Sequence, residues 1–167
     1  HYFTTITPEQ SLRIQAELYI KKGFINNVIG ILQSENIGSK TRNILVLKIG
    51  DYYYSKRKYF KSTSYYSKVD FQYIKNKVES EVRWRIAFAL MRENQKKDDK
   101  RLNSIFSWSE TFNFEELEDA ARFCYWNNTF IMSNQVSDIL SCFKKYPNTY
   151  YGLYALIQYN PYSGNFF

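Results

Sequence analysis

The feature that most narrows the folds open to this 167-residue chain is a pair of small residues, set in apolar stripes and repeated at a fixed offset. Val46, Ile49, Gly50 and Tyr53 stand at i, i+3, i+4 and i+7, the stripe by which a helix faces a partner. Ser62 and Tyr66 follow four residues apart on a second stretch. Gly50 and Ser62 are small where two helices of a hairpin would cross, and any side chain larger than Ala at Gly50 would push the pair apart. Moving the same positions back by 34 gives Leu12 for Val46, Ala16 for Gly50, Tyr19 for Tyr53, Val28 for Ser62 and Leu32 for Tyr66. Five positions pair at one offset, which defines an internal repeat. Gly23 falls between the two stretches of the first copy, where a turn often wants positive φ.

The spacing resembles the tetratricopeptide pattern, W-x2-L-G-x2-Y then A-x3-F on a period of about 34 residues. Val46 stands where Trp is usual. The fold expected is therefore all-α: a tetratricopeptide-repeat superhelix of about four helical hairpins plus a C-terminal helix, in one domain over 1–167. Composition agrees, since 6 Gly and 3 Pro are few for a sheet-rich fold of this size. The 16 Tyr and 13 Phe suit rings wedged between helical layers. The local competitor is a strand over 44–54, rich in β-formers. Its alternation is poor, because Ile44, Val46 and Tyr52 are as apolar as Leu45, Leu47 and Ile49. The fixed offset decides for helix.

The repeats are expected at about 9–42, 43–76, 78–110 and 114–147, with an extra helix at 148–159. Residues 1–7 read as a leader, Thr7 as N-cap and Pro8 as the first helical residue. The first helix should run to Lys22, the second over 24–34, and a link at 36–41 should lead to helices at 43–55 and 58–72. In the third pair, Val82, Ile86, Ala87 and Leu90 form one face, and Leu102, Ile105 and Phe106 lie on its second helix, about three residues late on the period. Asn113 is read as the next N-cap, with Glu115, Glu116, Glu118 and Asp119 at the positive end of the helix dipole. Phe123-x2-Trp126, Gln135-x3-Ile139 and Pro147 restore the spacing, with Phe123 at the small crossing position. Leu153, Leu156 and Ile157 make one face of a last helix without a partner. Repeat stacks need neighbours or caps, so the chain is read as a segment cut from a longer solenoid, unless a second chain covers that face. His1 rather than Met at its start is read as a trimmed or tagged end.

Net charge is +7. Lys96-Lys97-Asp98-Asp99-Lys100-Arg101 reads as a solvated loop. Lys56-Arg57-Lys58 with Lys61 and Lys68 interleaves with tyrosines, the composition that single-stranded nucleic acid wants. The repeat spacing already accounts for most of those rings, so nucleic acid is the lesser reading. Leu12, Ala16, Tyr19, Val46, Gly50, Tyr53, Ser62, Tyr66 and Ala87 are assigned to repeat packing. Tyr52, Tyr54, Tyr59 and Tyr65 lie off those positions and are the candidate partner-facing residues. Arg13, Asn27 and Lys48 are available to clamp a peptide C-terminus.

Nothing points to an enzyme. The one His is residue 1, and phosphate-loop, dinucleotide and metal spacings are missing. No catalytic residue, cofactor or metal ligand is assigned. The acids at 115–119 read as a dipole-matched face. Cys124 and Cys142, 18 apart, form neither a zinc pattern nor a disulfide framework and read as small buried residues of an intracellular protein. No apolar run approaches the length of a membrane helix, so no membrane partner is expected.

Five segments together carry a more specific likeness. LVLKIGDYYYSKRKYFKSTSYYSKV (45–69), ESEVRWRIAFALMREN (79–94), RLNSIFSWSETFN (101–113), LEDAARFCYWNN (117–128) and YPNTYYGLYALIQ (146–158) resemble, in order and spacing, the N-terminal tetratricopeptide domain of the subunit 7 family of the anaphase-promoting complex. That family's long polar insert between the second and third repeats has no room within 69–78. The resemblance implies a non-catalytic scaffold in a ubiquitin ligase of the cell cycle and mitosis. It further implies a homodimer stacked on other tetratricopeptide subunits, found in nucleus and cytoplasm. The alternatives are another tetratricopeptide adaptor for a peptide or protein partner and, less favoured, a basic nucleic-acid-binding helical domain.

Overall fold

Thr7 and Pro8 start the first helix as their chemistry dictates. Thr7 Oγ1 accepts from the Gln10 N–H at 3.2 Å, and Gln10 Oε1 accepts from the Thr7 N–H at 2.9 Å, closing a capping box. The computed structural model describes residues 6–94, 99–131 and 136–159, and every regular element among them is helical. The leader residues 1–5, Lys96, Lys97 and Asp98 of the charge run, and Gln135 lie outside the described residues. By its contacts the chain divides into two compact units, His1–Lys75 and Asn76–Phe167.

The first unit holds α1 (Pro8–Lys22), α2 (Ile25–Leu32), α3 (Ser39–Ser55) and α4 (Tyr59–Tyr66). Its backbone recurs at the offset read from the side chains. Gly23 has φ 79 and Arg57, 34 positions on, has φ 56. Phe24 (φ −84, ψ 59) is matched by Lys58 (φ −89, ψ 67). The Phe24 N–H donates to the Tyr19 carbonyl at 2.8 Å and the Lys58 N–H to the Tyr53 carbonyl at 2.9 Å. A left-handed conformation suits Gly23 but costs an L-residue such as Arg57 roughly 1–2 kcal/mol.

Ala16, Ile25, Val28, Leu45 and Ile49 centre this unit's core, and Leu12, Tyr19 and Tyr53 pack against it half-buried. Val46 is buried beside them. At the α3–α4 crossing the wholly buried Ser62 hydroxyl donates to the Gly50 carbonyl at 3.0 Å. The Tyr66 ring, 1% exposed, lies over the same glycine.

Two boundaries of this unit differ from those read in the sequence, each for a non-local reason. Helix α3 starts at Ser39, not 43, with Gly38 as its N-cap and the Gly38 N–H held by Glu9 Oε1 at 3.1 Å. Arg42 then reaches back to the carbonyls of Leu32, Ser34 and Ile37 at the end of the first hairpin. Helix α4 stops at Tyr66 rather than 72. The buried Asn43 donates to the Asp70 carbonyl at 2.9 Å and accepts the Asp70 N–H at 2.7 Å, drawing the chain off the helix axis into a short 3-10 turn, Phe71–Tyr73. Residues 44–54 lie wholly within α3, which removes the strand alternative.

The second unit holds α5 (Asn76–Asn94), α6 (Lys100–Thr111), α7 (Leu117–Trp126), a π-helical turn (Asn127–Ile131), α8 (Val136–Lys145) and α9 (Tyr150–Tyr159). Ala87, Leu90, Leu102, Ile105, Phe106 and Phe123 are buried together at its core. Asn113 does not cap α7, which begins after Glu116. The rings of Phe112 and Phe114 lie 4.2 and 5.8 Å from Trp108, and Phe114 lies 5.4 Å from Phe123. Seating both rings keeps residues around 112–114 out of the helix. Phe123, aligned by spacing with the small crossing residue, is instead a ring only 1% exposed. The close approach is at Ala121, whose carbonyl accepts from Cys142 Sγ at 3.5 Å, as Gly50 accepts from Ser62.

Helix α9 is not unpartnered. Thr149 Oγ1 accepts the Gly152 N–H at 3.1 Å to cap it. Tyr151, Gly152 and Ala155 then turn inward, with Ala155 wholly buried and Tyr151 ring-packed on Tyr125 of α7. Its outward face is Tyr150, Leu153, Tyr154 and Ile157, the last 63% exposed. Leu153 and Ile157 thus face away from the core.

Candidate interaction surface

The charge of this chain is unevenly placed. Residues 1–75 carry twelve Lys and Arg against five Asp and Glu, whereas residues 76–167 carry eleven against eleven. All of the net +7 therefore belongs to the first unit. Five of its cations, Lys56, Arg57, Lys58, Lys61 and Lys68, fall within 52–69, which contains no acid.

The turn between α3 and α4 and the outer side of α4 gather these cations, three of them over tyrosine rings. Lys56 Nζ lies 5.9 Å from the Tyr52 centroid, Lys61 Nζ 5.6 Å from Tyr53 and Lys68 Nζ 5.3 Å from Tyr65. Tyr53 and Tyr65 stack at 5.6 Å, and Tyr52 meets Tyr53 edge-on at 5.4 Å. Tyr54 meets Tyr59 edge-on at 5.8 Å. An exposed cation–π contact is worth about 0.5–1 kcal/mol, enough to bias each ammonium toward its ring without fixing it. Burial, and then the neighbouring Tyr53, raise the pKa of the Tyr65 hydroxyl, so it remains a hydrogen-bond donor at neutral pH.

Tyr52, Tyr54, Tyr59 and Tyr65 are consequently half-buried, and Tyr52 and Tyr65 pack on the core of the first unit. They brace the surface rather than project from it. The projecting ring is Phe60, 73% exposed, which the repeat spacing had given no role. Its signal in the sequence was a large apolar residue between Tyr59 and Lys61, off both stripes.

Two clefts flank Tyr52. One, of about 430 Å³, is lined by Glu17, Lys21, Lys48, Asp51 and Lys56 among others. Burial pushes the Glu17 carboxyl up, but Arg13 at 3.2 Å and Lys48 at 3.4 Å outweigh it and hold the carboxyl below its usual range. Arg13 and Lys48, the candidates for gripping a peptide C-terminus, therefore converge on Glu17. Asn27 lies in the second cleft, of about 310 Å³, with Asn26, Tyr52, Tyr53, Lys58 and Lys61. No acid lines that second cleft. Two ammoniums and two exposed amides make it suited to carboxylates.

Among the described residues no cluster of three or more His, Cys, Asp and Glu could hold a metal ion, and no helix is long and apolar enough to cross a membrane. Comparison of the chain with family models, curated proteins and solved structures returned no match.

Proposed function

We propose that this chain is a non-catalytic, tetratricopeptide-like scaffold that holds protein partners, and that its basic ridge receives an acidic polypeptide segment. The observation that carries the reading is the recurrence of one hairpin backbone at 34 residues, from Gly23 to Arg57, around small crossing residues. Repeated hairpins of this kind offer extended surfaces rather than an enclosed pocket, which suits holding a polypeptide. The acid-free run of five cations supplies the charge complementarity. The narrower proposal, a homodimeric subunit of the anaphase-promoting complex in nucleus and cytoplasm, rests on the five sequence segments that resemble that family.

The scaffold reading predicts that a Glu-rich peptide binds the full chain with an affinity that falls steeply with salt, and that Lys58→Glu with Lys61→Glu abolishes binding. Salt-independent binding, or binding untouched by the double variant, would remove the ridge. Co-purification from dividing cells together with light scattering tests the narrower proposal. A monomer that recovers no ligase subunits refutes it and leaves the scaffold reading standing. Single-stranded nucleic acid competes for the same cations. Stacking of bases wants open ring faces; Lys56, Lys61 and Lys68 lie over those of Tyr52, Tyr53 and Tyr65, which leaves the exposed Phe60 as the ring open to a base on this ridge. Tighter binding of an oligothymidine than of the Glu-rich peptide would favour the nucleic-acid reading.

A further inference from the structure

The smaller cleft of the first unit, about 310 Å³, collects donors that the rest of the fold does not use. Asn26, Asn27, Lys58 and Lys61 line it, all four exposed. Among the described residues their side chains make no ion pair or hydrogen bond. Lys61 Nζ rests 5.6 Å from the Tyr53 centroid, a contact that positions the ammonium and leaves its charge in place. The Tyr52 hydroxyl completes the set. A Cβ built on Gly23 would lie 3.1 Å from it, so glycine leaves room beside that oxygen.

Two helix starts adjoin the same cleft. Helix α2 follows Phe24 and helix α4 follows Lys58, and neither of these N-cap residues bonds through its side chain to its own helix. Neither first turn carries an acid. Both positive dipole ends therefore add to the field of the two ammoniums.

The donor set separates one anion from another. A carboxylate brings one charge and two oxygens, which Lys58 and a single asparagine would already answer. A phosphodiester likewise carries one charge per phosphate, so a nucleic-acid strand leaves half of the cationic charge unmatched. A phosphate monoester carries nearly two charges at neutral pH and three strong acceptor oxygens. Two ammoniums and three neutral donors fit that group. All four lining side chains are exposed, so a lone phosphate ion would keep much of its water. A phosphorylated residue on a segment already held by the ridge arrives at high effective concentration.

We propose that this cleft is a phosphate-monoester site, and that the acidic segment on the ridge presents a phosphorylated serine or threonine to it. The assignment rests on the ridge reading above and narrows it. Lys58 and Lys61 hold the dianion, while the Asn26 and Asn27 amides and the Tyr52 hydroxyl donate to its remaining lone pairs. Lys56, Arg57 and Lys68 are left for the flanking acids.

Fluorescence anisotropy of the full chain with three labelled Glu-rich peptides tests this. The peptides differ at two central positions, which are phosphoserine-serine, serine-serine or glutamate-glutamate, the last matching the first in charge. The phosphoserine peptide should bind about tenfold tighter than the charge-matched one at equal ionic strength. Asn26→Ala with Asn27→Ala, at exposed positions early in a helix, should erase that preference. Equal affinities for the phosphoserine and glutamate peptides would overturn the site and leave the ridge standing. Binding of none of the three would remove the ridge as well. A preference untouched by the asparagine variant would also overturn the assignment, since the phosphate would then sit elsewhere. Inorganic phosphate that competes as well as the unlabelled phosphoserine peptide would refute the polypeptide as its source.

Discussion

Adding a single methyl at Gly50 tests the packing on which the first unit depends. A Cβ built there would lie 2.6 Å from both Tyr66 Cδ1 and Cε1 and 3.3 Å from Cγ. Carbon atoms in contact prefer about 3.5–4.0 Å, so the overlap is about 1 Å. The ring has little freedom to retreat, being 1% exposed with its hydroxyl donating to Asp51 Oδ1 at 2.6 Å. Overpacking of this kind costs about 1–3 kcal/mol, while Ala gains about 1 kcal/mol over Gly inside a helix. Gly50→Ala should therefore lose about 0–2 kcal/mol and Gly50→Leu more. Gly30, inside α2, is the matched control, because a Cβ there meets nothing within 4 Å. Gly30→Ala should gain the full helix preference, about 0.5–1 kcal/mol. Urea melts followed by far-ultraviolet circular dichroism compare the two. In a Tyr66→Leu background Ala at position 50 should become favourable, which isolates the clash as a coupling between the two sites. If Gly50→Ala and Gly30→Ala raise the midpoint alike, the close crossing of α3 and α4 is wrong.

Three further outcomes follow from particular contacts. A Cβ at Gly152 would lie 1.9 Å from the Tyr146 carbonyl oxygen, and backbone cannot rotate aside as a ring can. Gly152→Ala should thus cost about 3 kcal/mol, at the top of the overpacking range, and open the segment after 145 to limited proteolysis; an unchanged cleavage pattern would refute the contact. Asn43→Leu leaves the Asp70 N–H and carbonyl without their partner, should cost about 1–3 kcal/mol, and should speed amide exchange at Asp70 but not in α1. The Glu9 carboxyl is held below 4.5 by the Thr41 hydroxyl first and the Gly38 N–H second. A lowered folded pKa contributes stability that is present above 4.5 and lost as the pH falls through the folded value. Urea midpoints of the wild-type chain and Glu9→Gln should therefore converge on acidification, and a gap independent of pH would show those bonds to be absent.

Much of the first unit was legible because its determinants are local or periodic. Thr7-Pro8 opens a helix by its own chemistry, and Ala16, Gly50 and Ser62 announce crossings by being small in apolar stripes. What escaped was decided across the fold. Nothing near Tyr66 says that α4 must stop there; Asn43, on the preceding helix, takes the Asp70 backbone instead. The late start of α7 depends on where the rings of Trp108, Phe112, Phe114 and Phe123 meet, which no spacing encodes. Matching Phe123 to the crossing position failed because a pattern anchored on Pro147 cannot see that Ala121, two residues earlier, faces Cys142. The basic run was visible at once in the sequence. That its rings are braced, and that Phe60 is the one left projecting, needed the packing.

The left-handed backbone at Arg57 sets two demands on one residue against each other. Glycine there would relax the hairpin tip and raise the melting temperature, as Gly23 already does in the first copy, yet would strip one of five positive charges from the ridge. A lineage tuned for durability alone would drift toward glycine at position 57, and one tuned for gripping an anionic partner would keep a cation. Arg57→Gly, assayed for both melting and peptide capture, should move the two readouts in opposite directions. If melting improves and capture does not weaken, the charge of Arg57 contributes nothing to the ridge.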